Sequence, residues 1–101
     1  ALEARLITWL KERGLRLPDE AQTLIPEAHA RPDFVYRLPG VNVAVFVDGP
    51  VHDAADVAQR DREAEERLLD LGWDVVRFPH DGDWAAIARE FERYFGPGVN
   101  T

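Results

Sequence analysis

The sequence predicts an α/β domain, a mixed sheet of about four strands flanked by helices in the order α-β-β-β-α-β-α. Three observations carry this. Apolar residues fall on one helical face over residues 2–13, 53–71 and 83–95, as in helices lying on a core. Between them, residues 31–38, 41–47 and 73–78 are short runs rich in valine and aromatics, bounded by Pro, Gly and Asp as strands are. The chain has 101 residues, of which 46% are hydrophobic and 31% charged, which is room for one domain built on one core.

The first helix follows from "LEARLITWLKER", which sets Leu2, Leu6, Trp9 and Leu10 on one face, and Gly14 stops it. Residues 22–26 are expected as a short edge strand ending at Pro26. "RPDFVYRL" (31–38) is the next strand, with Pro32 tolerable at its start. Leu38-Pro39-Gly40-Val41 is a turn, because proline presets the first corner and glycine accepts positive φ at the second. "VNVAVFV" (41–47) is almost wholly apolar after Asn42, as a strand covered on both faces would be. Asp53 is the expected N-cap of a helix that runs to about Leu71 and stops at Gly72, with Asp56 in its first turn. Its inward face would carry Val57, Ala64, Leu68 and Leu71, with "RDREAEER" on the solvated side. "WDVVRF" (73–78) is long enough after that helix to join "VNVAVFV" by a parallel crossover. A last helix begins at the Asp83 cap and aligns Trp84, Ile87, Ala88, Phe91, Tyr94 and Phe95, aromatics expected in a core or interface rather than as base-stacking platforms.

Composition narrows the function classes. Without cysteine, disulfides, thiolate nucleophiles and zinc-thiolate sites are excluded. No run approaches the roughly 20 apolar residues of a membrane span, and no basic-then-apolar leader opens the chain. The default expectation is a cytoplasmic domain without membrane association. The chain begins at Ala1 and contains no methionine, which reads as a domain cut from a longer protein. Nineteen acids against twelve Lys plus Arg give a formal charge of −7 and a pI near 4.8. Nucleic-acid binders draw most of their affinity from neutralising phosphates, so this chain alone would grip DNA weakly. Bound cations or a larger partner would have to make up the difference.

Chemistry concentrates in "RPDFVYRLPGVNVAVFVDGPVH". A hairpin closed at Pro39-Gly40 sets Asp33 opposite the stretch from Phe46 to Asp48. Two carboxylates, Asp33 and Asp48, would then meet at one end of the sheet, and His52 could swing over the same spot. Carboxylates beside a strand-end carbonyl make a hard-oxygen site suited to Mg2+ or Mn2+. The same residues also read as a turn and a solvated strand start, and from spacing alone that plainer reading is the commoner one. His29 and His80 read as structural or exposed.

The set "PDFVY…VAVFVDGPVH…RDREAEERLLDLGWDVVRF", preceded by "LEARLITWLKERGLRL", resembles the very-short-patch-repair (Vsr) endonucleases of the PD-(D/E)XK, or restriction-endonuclease-like, superfamily. It is most similar to the small Vsr-like domains fused to bacterial superfamily-two helicases, over about residues 2 to 78. The resemblance implies a restriction-endonuclease-like fold and a role for each matching position. Asp33 would be the metal-bridging aspartate, and the Val47 carbonyl would complete the coordination. Asp48 follows at a position commonly aspartate in related small domains. His52 would orient or deprotonate water, and Glu3 would reach metal-bound water from the first helix; without the resemblance, Glu3 reads as solvent-facing. The chain also departs from the pattern. Phe46 stands where related domains often carry Glu or Gln, the E/D-x-K element is missing, and the cysteine-dependent zinc site of Vsr enzymes has no counterpart.

Arg31, Arg60 and Arg62 are the candidate DNA contacts, since the guanidinium fork suits phosphate. Arg60 and Arg62 neighbour Asp61, Glu63, Glu65 and Glu66, so intrahelical ion pairs are the competing use. Arg77 is expected either on phosphate or paired with an acid. The expected function is a divalent-metal-dependent DNA endonuclease or nickase with a fused or partner helicase. The alternative is a catalytically inactive docking or DNA-guiding module of a helicase or of a defence or repair complex. A third reading, an unrelated small α/β domain, predicts that Asp33, Asp48 and His52 are scattered.

Overall fold

The computed structural model describes residues 1–50 and 55–97; His52 and Asp53 lie outside them, as does the side chain of Val57. The fold class is the expected one: helices flank a four-stranded mixed sheet of order β1-β2-β3-β4. The elements are α1 (Leu2–Glu12), β1 (Glu20–Ala21), β2 (Phe34–Leu38), β3 (Val41–Asp48), α2 (Ala55–Asp70), β4 (Asp74–Pro79), α3 (Trp84–Glu90) and α4 (Glu92–Phe95). Among the described residues no helix is long and apolar enough to cross a membrane.

Strands β2 and β3 form the predicted hairpin, with Leu38 opposite Val41 and Phe34 opposite Val45. Gly40 takes φ +82° behind Pro39, which is what lets two residues close it. β3 is the central strand, antiparallel to β2 and parallel to β4 with Val47 beside Phe78 and Asp48 beside Pro79. Its side chains alternate between two clusters. Val43, Val45 and Val47 face α1, α3 and α4 together with Leu6, Leu10, Phe78 and Phe95. Ala44 faces the opposite side with Leu68 of α2, and Phe46 packs at that cluster's margin.

Three sequence expectations need correction. The edge strand is Glu20–Ala21, not 22–26, because Gln22 turns to φ 55° and leaves the extended region. Ile25 then makes only an isolated bridge to Ala30 around a short 3-10 turn at Pro26–Ala28. The terminal helix is two helices, broken at Phe91 (φ −110°, ψ 38°). The break lets Phe95 meet Tyr36 and Phe78 edge to face at 5.1 and 5.4 Å, while Phe91 stacks on Tyr94. The predicted cap holds, since the Asp83 carboxylate accepts from the Ala86 N–H. Leu71 is not inward: α2 ends at Asp70 and Leu71 is 48% exposed. Ala64 and Leu68 pack as expected.

Candidate functional site at the end of the central strand

The site is built where β2 begins and β3 ends. β2 is paired only from Phe34, so Asp33 continues its path without a ladder partner of its own. Its carboxylate supplies one instead: Oδ2 accepts the Val47 N–H at 2.8 Å. In a strand a residue's N–H and C=O point to the same edge, so the Val47 carbonyl is directed to the edge that Asp33 occupies. An early aspartate and the tail of the apolar strand are thus in contact.

Asp33 is further held by a residue that sequence reasoning passed over. The Gln22 N–H donates to the Asp33 carbonyl at 3.0 Å, and Gln22 Nε2 donates to Asp33 Oδ1 at 3.2 Å. Gln22 reaches both atoms from its left-handed backbone, a conformation uncommon outside glycine, asparagine and aspartate. No sequence signal marks it, because positive φ at a glutamine is set by tertiary contacts.

Asp33 carries the field of its neighbours. Burial is the largest influence and pushes its carboxyl above the ordinary aspartate value. The Val47 and Gln22 hydrogen bonds pull the other way, and the carboxylates of Glu3 and Asp48 push it up again. Glu3, in the first turn of α1, and Asp48, at the end of β3, therefore stand close enough to Asp33 to feel its charge. Asp33 thus touches Val47 and lies within the field of Glu3 and Asp48; His52, which the third reading also scatters, lies outside the described residues.

Asp48 is not free. Arg77 Nη1 donates to Asp48 Oδ1 at 2.9 Å and Arg77 Nε donates to Glu65 Oε1 at 2.7 Å, joining β3, β4 and α2. The guanidinium lies 4.6 Å from the centre of the Phe46 ring. Burial opposes the charge on Arg77, but the Glu65 hydrogen bond and the Asp48 and Glu65 charges outweigh it and hold its pKa above the usual value. Phe46 is thus the platform for the cation that pairs with Asp48. Of the alternatives for Arg77, the structure shows the acid pairing.

Arg31 is exposed two residues before Asp33. Arg60 and Arg62 are exposed on α2, and among the described residues neither forms the ion pair that its acidic neighbours invite. Among the described residues no three His, Cys, Asp or Glu side chains gather tightly enough to hold a metal by themselves. Mg2+ asks for less, because it keeps several waters and is commonly bound through one or two carboxylates. Asp33, a strand-end carbonyl and the nearby carboxylate of Glu3 fit that looser kind of site. Compared with known protein families, curated proteins and solved structures, the chain matches none.

Proposed function

We propose that the chain is a Vsr-like, divalent-metal-dependent phosphodiesterase domain acting on DNA as an endonuclease or nickase. The observation that supports this is the contact between the Asp33 carboxylate and the Val47 backbone at the end of β3, inside the field of Glu3 and Asp48. Asp33 and the Val47 carbonyl would hold Mg2+ or Mn2+, with Asp48 helping if Arg77 releases it. Such an ion, when bound, polarises a phosphate oxygen and lowers the pKa of a coordinated water. Glu3 would accept the proton of the attacking water from its place at the start of α1. Arg31 would meet the phosphate backbone beside Asp33, and Arg60 and Arg62 would do so from α2. The net charge of −7 argues for weak intrinsic affinity, which a fused or partner helicase would offset by delivering the strand.

Relaxation of supercoiled plasmid with Mg2+ or Mn2+ tests this. Wild type is expected to nick, and Asp33→Ala to lose at least about a hundredfold in rate, the scale of losing a central electrostatic group. Equal trace activity from both proteins would end the catalytic reading.

A second reading has its own support. With Phe46 in place of an acid and Asp48 already neutralised by Arg77, the domain would serve as a docking or DNA-guiding module without catalysis. Calorimetric titration with Mn2+ separates the two: saturable binding lost in Asp33→Ala favours the nuclease, and no saturable heat favours the module.

A further inference from the structure

An open groove of about 680 Å3 runs between α1 and the start of α3, lined by Arg5, Trp9, Arg13 and Trp84 and also by two acids, Glu12 and Asp83. Its cations rest on aromatic faces: the Arg5 guanidinium lies 5.1 Å from the Trp84 ring centre and that of Arg13 lies 4.7 Å from the Trp9 ring centre. The two indoles meet edge to face at 5.9 Å. Among the described residues neither arginine has a carboxylate partner. A guanidinium stacked on an indole keeps its donor fork for an anion. Arg5 and Arg13 are two helical turns apart, roughly 12 Å along the axis, with Trp9 midway. That separation suits successive anionic groups on one chain rather than a single anion. Trp84 is only 7% exposed and its Nε1 donates to the Pro79 carbonyl, so Trp9, half-buried and with the Arg13 guanidinium over its ring, is the more open of the two indoles.

Charge and continuity point the same way. Residues 1–16 carry Arg5, Lys11, Arg13 and Arg16 against Glu3 and Glu12, whereas α2 sets three arginines against six acids. The α1 wall of the groove is therefore the basic one, and it faces an acidic stretch at Asp81 and Asp83. One end of the groove reaches His80, whose backbone N–H donates to the Asp48 carbonyl at 2.7 Å. The groove thus reaches the end of β3 from its β4 side, across that strand from Asp33.

We propose that this groove binds an unpaired DNA strand, with phosphates on Arg5 and Arg13, a base stacked on Trp9, and the strand leading to the Asp33 edge. The inference rests on the reading that the domain acts on DNA and adds that the substrate is single-stranded where it enters. Duplex would leave Trp9 unused, because only an unpaired base presents its face for stacking.

The test uses the whole 101-residue chain carrying Asp33→Asn, in EDTA, titrated with a labelled oligothymidylate and followed by anisotropy and tryptophan quenching. Saturable binding with quenching is expected, at least about fivefold tighter than for a duplex of equal length. Arg5→Gln with Arg13→Gln should weaken binding roughly tenfold or more and reduce the salt slope by about 1.4, two single-strand phosphate contacts. Lys11→Gln removes the same charge from α1 outside the groove and should shift affinity by less than about twofold. Trp9→Leu should abolish quenching while circular dichroism reports an intact fold. Absence of saturable binding, equal affinity for duplex, or an equal loss in Lys11→Gln would overturn the groove. Groove-dependent binding without Asp33-dependent cleavage would support the groove and defeat the nuclease. Asp33-dependent cleavage without groove-dependent binding would do the reverse.

Discussion

The two faces of the sheet are built from different materials. Towards α1, α3 and α4 the strands present Phe34, Tyr36, Val43, Val45, Val47, Val76 and Phe78, interlocked with Trp84, Tyr94 and Phe95. Towards α2 they present Val35 and Ala44, with Trp73 beneath a helix that contributes chiefly Leu68. Among the described residues the first face packs aromatics edge to face, while the second has fewer large side chains and carries the Arg77–Asp48–Glu65 ion network. Among the described residues the larger apolar contacts are thus concentrated on one face, and the polar network lies on the other, with the strand ends. The sharpest test is truncation. Phe78→Ala on the dense face should cost about 3–5 kcal/mol, against about 2 kcal/mol or less for the half-buried Phe46→Ala. Equal costs in urea unfolding would break the comparison; if Phe78→Ala does not fold, Phe78→Leu against Phe46→Leu gives the same ordering.

The ion network comes next in size. Arg77→Gln leaves Asp48 and Glu65 without their cation, and because the three groups are about a third exposed the expected loss is only about 1 kcal/mol. Dication affinity should move the other way, tightening a few-fold as Asp48 is freed beside Asp33. Stability and Mn2+ affinity falling together would show that Arg77 organises the site rather than masking it.

What the sequence disclosed divides along the same line. Periodicity located α1, the β2–β3 hairpin, α2 and β4, because amphipathic patterns and the Pro39-Gly40 turn are local signals. The approach of Asp33 to Val47 followed from the hairpin register, since a two-residue turn leaves little freedom in what faces what. The shift of the edge strand to Glu20–Ala21 and the role of Gln22 were hidden, because both depend on a positive φ imposed by contacts distant in sequence. Arg77 could be weighed from the sequence as either a phosphate or an acid partner. Only the register placing Phe46 beside it and α2 bringing Glu65 within reach decided between them. The Trp9 groove is invisible in the sequence because Trp9 falls on the apolar face of α1, as an ordinary core residue does.

Asp33 bears on the polar end of the comparison with a smaller effect of opposite sign. Its folded-state pKa lies above its unfolded one, mainly through burial and with Glu3 and Asp48 adding to it. The folded state therefore holds that proton more tightly. The stability this contributes is complete below the unfolded pKa and is lost as pH rises through the folded pKa. Asp33→Asn removes that loss, so at neutral pH its melting temperature should exceed wild type by a few degrees, roughly 2–4 °C. The gap should close on acidification towards the unfolded aspartate range. A variant less stable than wild type at neutral pH would mean that the Val47 and Gln22 hydrogen bonds outweigh the buried charge. Mn2+ should raise the wild-type melting temperature and leave Asp33→Asn unmoved.

The smallest effect isolates Gln22. Gln22→Gly removes the donor to Asp33 Oδ1 but suits the left-handed backbone better, so relief at φ 55° offsets the added freedom of the unfolded chain. Net stability should change by less than about 0.5 kcal/mol. The backbone N–H of residue 22 still donates to the Asp33 carbonyl, which keeps β2 in place. The Asp33 carboxyl, however, loses one of the two hydrogen bonds that draw its pKa down, while burial and the charges of Glu3 and Asp48 remain. Its pKa should therefore rise further, measured by NMR titration of the side-chain carboxyl carbon. An unchanged or lowered value would show that Gln22 does not act on the carboxylate and that its backbone conformation serves only the turn.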